Sequence, residues 1–198
     1  MRIINISTGL KNLYQMATKR RPKAECNTTA ASMGIYYTGH IMPAAYEQMP
    51  DYLMDILNSP EGWEYLNKKF PGAKYNPWNS SVCIAWAVNK VIGNEICIVK
   101  ESTFPEIVEH VKSGGAVIIG GGFLSGGTSG HFVCIVGFKF ADDTSITDVL
   151  VDDPYGNYNT HYKDHFDGND IVFPVAEFIK LTFGKSKTKT VQLYFREV

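Results

Sequence analysis

The chain has 198 residues, with 19 Lys and Arg against 20 Asp and Glu, a formal net charge of −1 and 44% hydrophobic residues. That balance excludes a general attraction to nucleic acid or to an anionic membrane, and the length suits one domain, residues 1–198, with a full core. Four cysteines, at 26, 83, 97 and 134, include no C-x-x-C pair, which excludes a disulfide framework and ordinary zinc spacing.

The elements follow in chain order. The run A-E-C-N-T-T-A-A-S-M-G places Cys26 at the first turn of a helix, which small and apolar residues at 30, 33, 34 and 37 carry toward Gly39. Pro50-Asp51 opens a short helix through Leu57, and Ser59-Pro60-Glu61 caps another that runs to about Lys69. Asn79-Ser80-Ser81 starts a further helix closed by Gly93. Thr103-x-x-Glu106 is a capping-box pattern for one ending at Ser113-Gly114-Gly115. The period then changes. Residues 116–120, 131–140, 148–152 and 190–196 are short runs rich in Val, Ile and Phe that read as strands, with a weaker candidate at 95–99. Helices first and strands later predict an α+β fold, with helices packed on a mostly antiparallel sheet. Residues 120–130 hold six glycines in eleven positions, so backbone there is free to approach a ligand and to move. The basic stretches 19–23 and 185–189 read as solvated turns. No charged-then-apolar signal segment opens the sequence and no apolar run reaches spanning length. A cytoplasmic protein is expected, released or virion-associated if phage-encoded.

Three residues carry the chemistry. A helix N-terminus favours a thiolate over a thiol, and Cys26, flanked by Glu25 and Asn27, differs from the three cysteines inside apolar runs. His131 opens a strand directly after the glycine loop, where it is able to face a cleft. Asp152 and Asp153 end a strand before Pro154, and a carboxylate there is able to fix the tautomer of His131. The order Cys, His, Asp suits a thiol nucleophile with a base and an orienting group. The other histidines read as structural: His110 on the exposed side of a helix and His40 after a helix-ending glycine. His161 and His165, with Asp164 and Asp167, form a faint metal candidate.

The segments E-C-N-T-T-A-A-S-M with Tyr37 and Gly39, G-H-F-V-C-I-V-G-F, V-D-D-P-Y-G-N and D-G-N-D-I-V-F-P-V-A-E-F carry a resemblance across about residues 20–180. The chain resembles the papain-like cysteine peptidases related to bacteriocin-leader (double-glycine) peptidases, in their phage and bacterial forms. The resemblance implies Cys26 as nucleophile, His131 as general base and Asp153, directly before proline, as the orienting carboxylate, with Asp152 the second choice. It implies no cofactor and a peptide substrate. Cys-Asn in place of the commoner Cys-Gly points to a phage or peptidoglycan context. One departure stands out: where these peptidases place an oxyanion-hole glutamine, six residues before the cysteine, this chain has Arg20, and the nearest glutamine is Gln15. The backbone N–H of Cys26 offers one oxyanion donor and the second is unassigned. A catalytically inactive binding module of the same fold, or an acyltransferase using the same thioester, are the alternative readings.

Overall fold

The computed structural model describes residues 2–124, 130–184 and 190–196. The tip of the glycine loop at 125–129 and the basic stretch 185–189 lie outside the described residues. The helices are α1 (Cys26–Tyr37), α2 (Met49–Asn58), α3 (Pro60–Lys69), α4 (Ser81–Ile92), α5 (Phe104–Lys112) and α6 (Val175–Thr182). The strands are β1 (Arg2–Asn5), β2 (Cys97–Ser102), β3 (Ala116–Gly121), β4 (His131–Phe140), β5 (Ile146–Asp152), β6 (Ile171–Pro174) and β7 (Thr190–Phe195). All pairings are antiparallel, in the order β2-β7-β3-β4-β5-β6. β1 lies beside the second half of β4, continuing the edge that β3 occupies along the first half.

The local signals explain most boundaries. Ser59 accepts the Gly62 N–H at the start of α3, and Ser80 accepts the Cys83 N–H at the start of α4. Gly93 closes α4 at φ 79°, a left-handed position suited to glycine. The Glu106 carboxylate takes both the N–H and the hydroxyl of Thr103, fixing the start of α5. The strand expected at 95–99 begins two residues later, at Cys97. β1, β6 and α6 carry no sequence signal of their own.

Both faces of the sheet are covered. α1 lies on one face, with α2 and α4 around it, over Ile118, Cys134, Val136, Leu193 and Phe195. α5 and α6 cover the other, over Val117, Ile119, Val133, Ile135 and Phe173. Strands covered on both faces read as continuous apolar runs, the pattern of residues 131–140. α1 is buried nearly all round, so its hydroxyls bond inward: Ser32 donates to the Thr28 carbonyl and Thr38 to that of Gly34. A Cβ on Gly34 would stand 2.8 Å from the Phe195 ring, so glycine sets how closely α1 seats on the sheet. That seating brings the N-terminus of α1 to the end of β4.

Candidate active site

Cys26 is the first residue of α1 and is partly exposed. His131 is the first residue of β4, 1% exposed, and Asp153 follows the end of β5, 0% exposed. His131 shares strand parity with Val133 and Ile135, and Asp153 with Val149 and Val151, all on the α5/α6 face. The two side chains therefore leave neighbouring strands on one face and meet, with Nε2 of His131 2.6 Å from Oδ1 of Asp153. Cys26 lines the same cleft as His131, close enough for its charge to act on the ring. Burial alone would lower the imidazole pKa; the charge and hydrogen bond of Asp153, with Cys26 adding, overcome it and hold His131 up to about 10.

Asp153 is fixed from every side. Oδ1 also accepts the Tyr155 N–H at 2.8 Å, and Oδ2 accepts the Tyr162 hydroxyl at 3.1 Å. Burial, and then the nearby Asp153 charge, push the Tyr162 pKa up, so its hydroxyl stays a donor. Tyr162 and its neighbour His161 both stand at φ 56°, a left-handed conformation costly for non-glycine residues and here used to aim a side chain at the site. The backbone of Asp153 donates to the Gly168 carbonyl at 2.8 Å and accepts from the Asn12 amide at 3.0 Å. A Cβ on Gly168 would collide with the Asp153 carbonyl oxygen, so only glycine permits that approach.

Asp152 points the other way. It pairs across the sheet with Cys134, on the α1 face, and its Oδ1 accepts the Asp170 N–H at 2.7 Å. Burial raises its pKa to about 6. Of the two aspartates, Asp153 alone reaches the imidazole.

The Arg20 guanidinium makes a two-pronged pair with Asp55, both contacts at 2.7 Å, on the exposed surface. It stands outside the cleft. Gln15, in a 3-10 turn and 3% exposed, lines the cleft together with Cys26 and His131. Its N–H donates to the Pro154 carbonyl and its Nε2 to the Pro22 carbonyl, which leaves a second Nε2 hydrogen unspent. Gln15, eleven positions before the cysteine, lines the cleft, and Arg20, six positions before it, does not. Tyr162 gave no sequence signal either, because its position depends on a loop path rather than a period.

The remaining histidines are structural. His110 is half-buried rather than exposed: its Nε2 meets the Phe195 carbonyl at 2.8 Å and its ring packs on Tyr194. His40 meets the Arg196 carbonyl at 2.7 Å, and His165 the Tyr155 carbonyl at 2.8 Å. Among the described residues no group of three His, Cys, Asp or Glu is placed to hold a metal ion, the 161–167 segment included. Cys83, Cys97 and Cys134 are buried and free, and burial raises the pKa of each.

The cleft encloses about 290 Å³, between the Gln15–Asn27 segment, Trp78 and Asn79, the stems of the glycine loop at Leu124 and Gly130, and Tyr155. Asn27 donates its amide to the Trp78 carbonyl, tying that wall to α1. Two larger hollows, of about 610 and 590 Å³, lie beside Arg2 and Phe140 and between α4 and β2; neither is lined by a histidine.

An α+β fold with a helix N-terminus seated against the ends of two antiparallel strands, and Cys, His and Asp meeting there, is the papain-like arrangement. The model of the Peptidase_C39 like family matches residues 8–183, and the chain belongs to that family, a family of peptidases. A crystal structure described as that of a candidate C39-like peptidase from Bacillus anthracis superposes with a TM-score of 0.62 at 14% identity, over 100% of this chain and 99% of the other. That likeness concerns the fold. No curated protein sequence matches the chain.

Proposed function

We propose that this peptidase is a cysteine peptidase that works through Cys26, His131 and Asp153. The observation that carries the reading is one imidazole held by a carboxylate at 2.6 Å in the same cleft as a helix-terminal thiol. The raised imidazole pKa keeps His131 protonated at neutral pH, the state that pairs with a thiolate. The Cys26 sulfur attacks the carbonyl carbon of a peptide bond, forming a C–S bond as the carbonyl π electrons move to oxygen. The oxyanion lies between the backbone N–H of Cys26 and the free Nε2 hydrogen of Gln15. The C–N bond breaks as His131 passes its Nδ1 proton to the leaving amine, giving a thioester. Water, deprotonated by the now neutral His131, attacks the thioester; the acid is released and the thiol regenerated. Asp153 keeps the ring oriented throughout.

Gln15 in the cleft supports the active reading over the inactive binding module. A peptide crosslink of the cell wall, in a phage or bacterial setting, is the substrate supported by the E-C-N-T-T motif. Labelling with an electrophilic peptide probe tests the nucleophile: the probe should mark Cys26, and labelling that persists in Cys26→Ala contradicts the reading. Incubation with purified peptidoglycan, and separately with a Gly-Gly leader peptide, separates the substrates by product mass.

A further inference from the structure

Two charged side chains line the cleft around Cys26. His131 is paired with the buried Asp153, so Lys23 is the cation left there, and no Asp or Glu lines the cleft among the described residues. Lys23 is exposed and forms no ion pair among the described residues. Arg20, Lys90, Lys100 and Lys112 each hold a carboxylate at 2.7–3.0 Å. The nearest acid in sequence, Glu25, is buried and turned away; its Oε1 accepts the Arg21 N–H, and burial raises its pKa. The Arg21 guanidinium lies 4.6 Å from the centre of the Trp78 ring, the ring that walls the cleft, which fixes a further cation at the rim.

We propose that this cleft selects a peptide bearing a carboxylate beside the scissile bond, with Lys23 as the residue that reads it. The proposal rests on the cysteine peptidase reading and names its substrate class. A cation without a carboxylate of its own at the wall of a cleft raises the local concentration of opposite charge and steers its entry. Lysine reads charge rather than shape: its ammonium is a point charge on a flexible stem, so an Asp or Glu side chain and a free chain-terminal carboxylate satisfy it alike. The amide counterparts of those groups gain nothing from it.

The test uses the intact protein and two small probes that differ only in charge. Iodoacetate and iodoacetamide both alkylate a thiolate with loss of iodide, and peptide mass spectrometry reads the rate at Cys26. In Lys23→Gln the ratio of the iodoacetate rate to the iodoacetamide rate should fall about three- to tenfold, the scale of one nearby opposite charge at a protein surface. High salt should lower the wild-type ratio toward that of the variant. Lys90→Gln, on the far face of α4 and paired with Glu61, should keep the wild-type ratio. Protection of Cys26 by acetyl-aspartyl-amide assigns the site to a side-chain carboxylate, and protection by acetyl-glycine to a chain terminus; either supports the proposal. Alkylation of Cys26 with a ratio indifferent to Lys23→Gln and to salt overturns the acidic subsite and leaves the nucleophile standing. No alkylation of Cys26 by either reagent overturns the reading beneath it as well.

Discussion

His131 and Asp153 stand at the ends of two central strands with 1% and 0% of their surface exposed, and every polar atom of the Asp153 carboxylate is partnered. Across the cleft, Cys26 is partly exposed, and the segment leading to it puts Arg21 and Lys23 in solvent. The sheet side is a fixed His–Asp pair, set by strand register and a loop pinned at Gly168. The helix side is open to solvent. On the proposed reading, preorganisation serves the proton transfer and accessibility serves the docking of a peptide.

Breaking the sheet side should cost most. Asp153→Asn leaves the shape but removes the charge and the tautomer control. Peptide cleavage should fall on the order of 10⁴-fold, by analogy with serine peptidase triads, with the far-ultraviolet circular dichroism retained. The ion pair also predicts a pH dependence. A folded-state pKa of about 10 for His131 means that the pair stabilises the protein fully below about pH 6.5, the ordinary histidine value, and that this is lost as pH rises through about 10. Thermal melts should show that alkaline loss in the wild type and not in Asp153→Asn, and wild-type cleavage should decline over the same range.

On the helix side, Gln15→Ala should reduce kcat about 100- to 1000-fold with KM little changed, the usual effect of removing an oxyanion donor. Arg20→Ala, whose exposed pair with Asp55 is worth little, should leave kcat within about twofold. Equal losses in the two variants would return the oxyanion role to position 20.

A smaller effect belongs to Tyr162→Phe, which deletes one hydrogen bond to the buried carboxylate, a contact of about 1.5–3 kcal/mol. kcat should fall about tenfold. Asp153 would then give more of its charge to the imidazolium, so the alkaline limb of the activity profile should move upward. A loss of stability with an unmoved limb would make Tyr162 a packing residue only.

The smallest effect on activity should come from the neighbouring aspartate. Asp152→Asn keeps the acceptor for the Asp170 N–H and leaves the imidazole untouched, so cleavage should stay within about threefold. Its folded-state pKa, raised to about 6, means the folded protein binds that proton more tightly than the unfolded chain. Stability falls as pH rises from about 4 to about 6. The variant should flatten that part of the stability profile, read by denaturant titration across the range.

Much of this arrangement was legible in the sequence, and the reasons are local. Ser59, Ser80, Gly93 and the Thr103–Glu106 pair mark helix ends through bonds to adjacent backbone, which sequence patterns encode. β4 spans the expected residues, because a strand covered on both faces announces itself as an apolar run. β6 was not legible: it passes into α6 at Pro174 with no turn residues between them. β1 is a four-residue strand whose place depends on pairing with residues 137–140, far along the chain. At the candidate site, the order Cys26, His131, Asp152-Asp153 suggested a cluster, the resemblance picked Asp153, and the structure places the ring of His131 against Asp153 in the cleft of Cys26. Gln15 was not legible, because its place is set by a long-range bond to Pro154 and a bond within the loop to Pro22 rather than by spacing.

The measurement that tests the account most directly is acid-quenched mass spectrometry of the protein during cleavage of a peptide ester or amide. The account predicts an acyl group on the tryptic peptide containing Cys26, labile to hydroxylamine as a thioester is, and absent from Cys26→Ala together with turnover. Cleavage that continues in Cys26→Ala, or an acyl group carried by a different residue, would contradict it.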